Sequence, residues 1–313
     1  MSILRQKRWL EWPTLMLYFF TYFIYALTTI YAQYLPSSLV IILLTLLLTL
    51  HSSLQHETIH ILEPRWPILS VLLAFPALGM AVPYSRFRDL HLAHHVNEHL
   101  TDPFDDPETG YYEITNWNKF PNFIKIILKF NNTLIGRIII GPLVGMLNFI
   151  NSDLNFIIKG NRQALYGWLL FVPALMIVIF WLYYFGSVKI WEYALAAYGA
   201  LSILKIRTFI EHRAHELTSA RSVIVNDKGI LSLLFLNNNY HVVHHSHPYI
   251  PWYNLPSVFE LNKEKFLKSN DNYYYKNYFI VFKKYLLVKK EKLIHPYWNL
   301  QNRANPIRQE ESN

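Results

Sequence analysis

The chain has 313 residues, of which 52% are hydrophobic and only 16% carry a charge, with a formal net charge of +8. Soluble domains carry about 25% charged residues, so this composition argues against a soluble protein and favours an integral membrane protein. Cysteine is absent, which excludes disulfides, thiolate zinc sites and cysteine-held iron–sulfur clusters on this chain. Electrons for any redox chemistry must then come from another protein.

Four apolar runs predict membrane-spanning helices, at about residues 14–35, 37–54, 165–185 and 190–210. Each run is about long enough to cross a hydrocarbon core of ~30 Å at 1.5 Å per residue. The basic residues Arg5, Lys7 and Arg8 precede the first run, which places the N-terminus in the cytoplasm by the positive-inside rule. An even number of crossings returns the C-terminus to the same side.

A further apolar stretch, residues 64–83, is not predicted to cross the membrane. Pro67, Pro76 and Gly79 would interrupt a straight helix there. A single crossing would also place the first two histidine clusters described below on opposite membrane faces. We therefore expect a re-entrant or interfacial segment, whose broken backbone is tolerated when it is buried in protein.

The remaining segments are more polar. Residues 101–118 are predicted to form a loop, and residues 120–150 mix lysine and asparagine with apolar pairs, which predicts amphipathic helices at the membrane surface. Residues 262–313 are rich in lysine and are expected to form a basic, solvated cytoplasmic tail near anionic lipid. We expect a single domain over residues 1–313.

Three short histidine clusters carry the chemistry. They are His56-Glu-Thr-Ile-His60, His91-Leu-Ala-His94-His95 and His241-Val-Val-His244-His245. Residues three or four apart lie on one face of a helix, so each cluster directs its imidazoles at one spot. Neutral imidazole is a common ligand of transition metals. These imidazoles exceed the three or four protein ligands of a single zinc ion, which suggests two metal ions in one pocket.

Six other histidines fall outside the three clusters. His212 and His215 follow the fourth apolar run in Glu211-His212-Arg-Ala-His215, where further ligands would be useful. A single histidine pair at this spacing is usually chance or packing, but the full set on one membrane face is hard to explain in that way. Surface or supporting positions are expected for the other four, which are His51, His99, His247 and His295.

Two other classes of protein fit part of the pattern. His56-Glu57-Thr-Ile-His60 satisfies the HExxH pattern of zinc proteases, in which the glutamate is the general base. A membrane zinc protease would leave most of the histidines unexplained. A metal transporter or storage protein would place its site at mid-bilayer, whereas these clusters lie at or beyond the ends of the predicted spans.

The motifs HETIH, HLAHH, EHRAH and NNNYHVVHH, in this order around four apolar runs, resemble those of the membrane-bound fatty acid desaturase and hydroxylase superfamily. The resemblance extends from the first span to about residue 260. It implies an all-α integral membrane fold with about four transmembrane helices and a cytoplasmic helical cap that carries the histidine boxes. It also implies a non-haem di-iron centre that uses O₂ and two electrons to attack an unactivated C–H bond of a lipid chain.

Carried over residue by residue, the resemblance gives a set of iron ligands. They are His56 and His60 in the first box, His91, His94 and His95 in the second, His241, His244 and His245 in the third, and His212 after the last span, with His215 as a further candidate. Asn238 or Asn239 is expected to supply a water-mediated ligand. Nearby carboxylates can orient the imidazole N–H groups. Those available are Glu57, Asp89, Asp102, Asp105, Asp106, Glu211 and Asp227.

The resemblance also implies the partners. The substrate is expected to be an acyl chain of a fatty acid or lipid, with hydroxylation or ketolation of a carotenoid or alkane as the alternative. A separate electron donor is expected, such as a ferredoxin or a b-type cytochrome, and no nucleic acid. The active site and both termini are expected to face the cytoplasm. Four arginines, which are Arg86, Arg88, Arg207 and Arg213, are either headgroup contacts or ordinary positive-inside residues.

Overall fold

The computed structural model describes residues 11–96 and 100–298, and this part of the chain is mostly helical. The α-helices, in chain order, are α1 (Trp12–Ile30), α2 (Ser37–Glu57), α3 (Pro67–Ala74), α4 (Tyr84–Val96), α5 (Ile114–Lys119), α6 (Asn122–Asn131), α7 (Leu134–Ile139), α8 (Gly141–Ile158), α9 (Arg162–Tyr184), α10 (Ile190–Ile210), α11 (Ile230–Leu234), α12 (His241–Ser246), α13 (Leu255–Leu261), α14 (Lys263–Ser269) and α15 (Tyr278–Tyr285). Two short strands, β1 (Ile224–Val225) and β2 (Tyr274–Tyr275), pair in parallel. A π-helix, Thr58–Leu62, continues α2, and 3₁₀ turns cover Ala32–Tyr34, Thr218–Arg221 and Trp252–Asn254.

Four helices of the described chain are long and apolar enough to cross a membrane: α1, α2 with its π-helical continuation, α9 and α10. The four predicted spans are therefore present as helices, although two boundaries differ. The first ends at Ile30 rather than Leu35, because a 3₁₀ turn precedes Pro36. The second does not stop at Leu54 but runs on to Leu62. The polar residues His56 and Glu57 do not end it, since both are buried between packed elements.

The two helices that lead to the histidines, α2 and α10, pack closely against each other. Buried aliphatic residues such as Leu44, Leu47 and Ala200 share one core cluster between them. Gly199 makes the approach possible, because a Cβ at this position would lie 2.9 Å from Thr45 Oγ1. Both helices end near the same site, so their packing brings the first histidine cluster together with His212.

The segment between the first two clusters contains only α3, a helix of eight residues. At 1.5 Å per residue, α3 is about 12 Å long and too short to cross a bilayer. The chain then returns through α4, and His60 Nε2 lies 2.9 Å from His91 Nε2. The two clusters therefore share one site, as the re-entrant interpretation requires. The depth of residues 64–83 in the membrane stays a prediction.

The lysine-rich C-terminal region is folded as far as it is described. The lysines of α14 and α15 are exposed, as a solvated face would require, whereas aromatic residues between them, including Phe266 and Tyr285, are buried in core clusters. Beyond α15 the backbone pairs with the loop that precedes α5: Tyr112 donates to Leu293, and His295 donates back to Tyr112. This region covers the loop that follows the second histidine cluster.

Candidate metal centre

Nine of the ten histidines proposed as ligands converge in two adjacent groups. Within each group the candidate ligand atoms all lie within 4.8 Å of one another. One group contains five residues, His56, His60, His91, His95 and His244, and the other contains four, His94, His212, His241 and His245. Each histidine is buried or half-buried. The groups adjoin, because the rings of His95 and His245 stack with their centroids 4.4 Å apart.

Helix geometry explains how each cluster reaches the site. His56 lies in the last turn of α2 and His60 lies in the π-helix that follows. The second cluster occupies the last turns of α4 and the third occupies α12. His212 comes two residues after the end of α10. Four separate elements thus meet at one point, and three of them carry imidazoles three or four residues apart on a helical face.

Several pairs of imidazole nitrogens lie within hydrogen-bonding distance of one another. Five pairs of Nε2 atoms lie 2.9 to 3.1 Å apart, among them His94 with His212, and His95 with His244. With metal–nitrogen bonds of 2.0–2.1 Å, ligands at 90° are about 2.8–3.0 Å apart, while tetrahedral ligands are about 3.3–3.4 Å apart. Nε2 atoms at the observed spacing could therefore bind a common ion.

Hydrogen bonds to the other ring nitrogen turn these Nε2 lone pairs inward. His94 Nδ1 donates to Asp106 at 2.8 Å, and His91 Nδ1 donates to Glu108 at 3.0 Å. His241 Nδ1 lies 3.2 Å from Asn238 Oδ1. An imidazole that donates from Nδ1 carries no proton on Nε2 when it is neutral, so its lone pair faces the group. Lone pairs gathered in this way repel one another unless a cation lies between them.

The electrostatics of the site also favour a cation. Burial lowers the pKa values of His241, His244 and His245 well below the usual range, which keeps these rings in the neutral form that binds metals. Burial likewise lowers the pKa of His94, but Glu108 and Asp106 outweigh it and raise that pKa to about 9. The two carboxylates therefore stabilise positive charge at the centre. The donor set and its charge fit transition-metal ions that bind imidazole.

Three of the predicted site residues are not brought to the centre. His215 lies outside both groups, with its Nε2 atom 3.3 Å from Asp271 and its Nδ1 atom accepting the Leu217 N–H. Asp89 forms ion pairs with Arg86 and Arg88 instead of orienting an imidazole. The Asn239 side-chain amide donates to the Val225 carbonyl. In each case another partner holds the side chain elsewhere.

The other three supporting residues are buried beside the groups. Asn238 contacts both groups, since its amide nitrogen is 3.5 Å from His56 Nε2 while its oxygen faces His241. Glu211 lies 3.7 Å from His241 Nδ1. The Glu57 carboxylate accepts the backbone N–H of Trp252 at 3.0 Å. Glu57 therefore joins the first cluster to the segment after the third.

Two of the histidines outside the patterns are buried rather than on the surface. His51 lies 3.1 Å from the Tyr22 hydroxyl, and His295 lies 3.0 Å from the Thr101 hydroxyl. The Thr101 backbone N–H donates to Asp106, so His295 supports the loop that holds His94. His247 is half-buried, and His99 lies outside the described residues.

Glu108 is the contributor that sequence reasoning did not identify. It lies in the polar loop after the second cluster, two residues beyond Asp106, and the candidate carboxylates from this loop ended at Asp106. The neighbouring His94 and His91 lower the pKa of Glu108 below its usual range. The only signal in the sequence was its place in an acidic loop close behind a histidine cluster.

Comparison with known families gives one match. The sequence profile described as "Fatty acid desaturase" matches residues 31–277, which include all ten proposed ligands. No curated protein matches the chain.

Proposed function

The chain belongs to the fatty acid desaturase family, and we propose that it is a di-iron oxygenase that desaturates, or hydroxylates, the acyl chain of a fatty acid or lipid. Members of this family are oxidoreductases. The four apolar helices agree with an integral membrane protein. The ligand set, the metal and the substrate class belong to the proposal, as do the cytoplasmic position of the centre and of both termini.

The convergence of nine imidazoles in adjoining groups of five and four carries this proposal. The five-histidine group would hold one iron and the four-histidine group the other. Two bound irons would bind O₂ and reduce it, with electrons from a separate protein such as a ferredoxin or a b-type cytochrome. Desaturation then consumes O₂, two electrons and two protons, removes two hydrogens from the chain and releases two waters. Hydroxylation consumes the same reactants, inserts one oxygen and releases one water.

The chain's own residues orient the ligands and exclude water. Asp106 and Glu108 hold the rings of His94 and His91, so that each Nε2 atom faces inward. Five of the nine histidines are buried and four are half-buried, which limits the access of bulk water to the ligand atoms. The centre lies at the ends of α2 and α10, a position within reach of an acyl chain from the adjoining bilayer.

Hydroxylation or ketolation of a carotenoid or an alkane remains the alternative within the same chemistry. A zinc protease is disfavoured, because Glu57 is hydrogen-bonded to the Trp252 backbone and the HExxH pair lies within a five-histidine group. A transporter is disfavoured as well, since both groups lie at helix ends rather than midway along the spans.

Metal analysis joined to lipid analysis tests the proposal. Purified, iron-replete protein should hold about two irons per chain, and cells that express it should contain new unsaturated or hydroxylated lipids by mass spectrometry. Replacing His60 or His244 with alanine, at equal expression, should abolish both signals. One tightly bound zinc without iron would favour the protease, and an unchanged lipid profile with two irons bound would exclude acyl oxidation in those cells.

A further inference from the structure

The four arginines considered as either headgroup contacts or positive-inside residues already have partners within the protein. Arg86 forms two hydrogen bonds with Asp153, at 2.9 and 2.8 Å. The others also have partners: Arg88 is hydrogen-bonded to Glu63, Arg207 forms an ion pair with Glu211, and Arg213 donates to the carbonyls of Ala220 and Asn270. A headgroup would have to displace these contacts, so its binding site should be sought elsewhere.

Two other cations lack such partners. Arg137 of α7 and Lys205 of α10 are both half-buried, and neither forms an ion pair or a side-chain hydrogen bond with any residue that the structure describes. The Nε atom of Arg137 is fully buried without a partner. Its guanidinium lies over the ring of Phe209, with 5.8 Å to the ring centroid. These two side chains are therefore charged, sheltered and uncompensated.

The surface of α8 brings the two cations together. Gly141 and Gly145 are four residues apart and so share one face of α8. A Cβ at Gly141 would lie 3.0 Å from Arg137 Cδ, and a Cβ at Gly145 would lie 2.8 Å from Lys205 Nζ. Both cationic side chains thus pack over the glycine-lined strip of α8, on adjacent turns of one helix, and we call this strip the groove. Asn148, three residues beyond Gly145 on α8, is hydrogen-bonded to Tyr112.

The free protein keeps this arrangement at an energetic cost. Charged groups are expensive to bury unless a counter-ion compensates them. Burial lowers the pKa of Arg137, although an arginine remains charged at physiological pH. The carboxylates nearest in charge effect to Lys205 are Glu108 and Glu211. Glu108 is already hydrogen-bonded to His91, and Glu211 already forms an ion pair with Arg207. A bound anion would supply the missing compensation.

The groove lies at a suitable distance from the metal centre. Lys205 precedes His212 by seven residues, which corresponds to about 10 Å along a helix axis. It is also within two turns of the end of α10, near the boundary between acyl chains and headgroups in the proposed topology. An anion held here would let an attached chain extend toward the histidines.

We propose that Arg137 and Lys205, in the groove along Gly141 and Gly145, bind the anionic carboxylate or phosphate headgroup of the lipid whose chain is oxidised at the metal centre. This assignment rests on the proposed function. An arginine offers a planar fork of donors that matches an oxyanion, and a lysine adds a mobile point charge. The two side chains are then specificity determinants for a charged lipid over a neutral one.

Binding measurements on the purified full-length chain test the assignment. The probes are dodecanoate, dodecyl phosphate, the neutral dodecanol and inorganic phosphate. The variants are Arg137→Gln and Lys205→Gln, with Lys205→Arg to retain the charge and Lys265→Gln, an exposed lysine of α14, as the matched control. Each glutamine variant should lower the affinity for both alkyl anions roughly ten-fold, the usual effect of losing a charged hydrogen bond, without changing that for dodecanol.

The ratio of anion affinity to alcohol affinity decides the outcome. This ratio should fall in both glutamine variants and stay unchanged in Lys205→Arg and Lys265→Gln. Without ligand, the glutamine variants should have melting temperatures no lower than that of the parent protein, because an uncompensated charge has been removed. An unchanged ratio in the glutamine variants would overturn the proposal. Inorganic phosphate that competes as strongly as dodecyl phosphate would overturn the lipid assignment. These measurements require no turnover, so binding to the groove can be tested even on an inactive or iron-free chain.

Discussion

Replacement of Asp106 by asparagine should weaken metal binding more than its modest change in size suggests. The Asp106 carboxylate is only 4% exposed and accepts three hydrogen bonds. His94 Nδ1 and the Glu108 backbone N–H donate to its Oδ1 atom at 2.8 and 2.9 Å, and the Thr101 backbone N–H donates to its Oδ2 atom at 2.8 Å. Asparagine has one acceptor oxygen and one NH₂ group, so it cannot accept from all three donors.

Either orientation of the new amide is unfavourable. If its NH₂ group faces Thr101, two donors meet and a buried N–H loses its partner, at a cost of about 1–3 kcal/mol in the free energy of unfolding. If the NH₂ group faces His94, the ring must take the tautomer that carries its proton on Nε2, which blocks the proposed metal ligand. Loss of a group that orients a metal-bound histidine typically lowers metal affinity 10–100-fold, which is about 1.4–2.7 kcal/mol.

Chelator competition followed by iron analysis measures this effect. The matched control is Asp102→Asn in the same loop, where the carboxylate accepts backbone N–H groups and the Trp298 indole but no imidazole. This control should keep its iron affinity even if its melting temperature falls. If Asp106→Asn held iron as tightly as the parent protein, the carboxylate would not orient a ligand and the tautomer argument would be wrong.

Three other changes probe the site and the topology. His212→Ala should abolish iron occupancy and lipid oxidation, whereas His215→Ala should keep both within a few-fold because this ring lies outside both groups. Loss of iron from His215→Ala, with iron retained in His212→Ala, would restore His215 as a ligand. Glu57→Gln should retain iron and lose at most about 10–100-fold in lipid oxidation, since glutamine still accepts the backbone N–H, while a zinc protease would lose its general base and all activity. A reporter fused near Ser187 should lie on the external side of the membrane. Reporters fused after residues 61, 110, 225 and 300 should all lie on the cytoplasmic side. Opposite readings at residues 61 and 110 would show that the intervening segment crosses the membrane.

Local patterns in the sequence were sufficient for the helices and for most of the histidines. Runs such as 190–210 are apolar over a full membrane thickness, and that property alone predicts that the segment is a helix and how long the helix is. The spacing of His91, His94 and His95 needs only the helical repeat to place all three rings on neighbouring faces. Both inferences depend on residues within a few turns of one another.

The choice between competing partners could not be predicted in the same way. His215 has helical spacing from His212, but the chain leaves the helix after Ile210 and turns the His215 ring toward Asp271. Asp89 lies beside a histidine cluster in the sequence, and two arginines within five residues compete for its carboxylate. The choice among such partners depends on tertiary packing, which the sequence pattern does not encode locally.

The meeting of His56 with His244 also makes the centre a cross-link. Their rings lie 4.7 Å apart across about 190 intervening residues, and this cysteine-free chain has no covalent bond to close that loop. Closure of so long a loop carries a substantial entropic cost, and crowded imidazole lone pairs add repulsion when no cation joins them. A bound metal pair would supply the closing energy that disulfides give to other proteins. The metal-free chain should therefore unfold locally around the histidines more often, which would expose backbone to proteases and speed its degradation. The cellular level of the protein would then follow the iron supply.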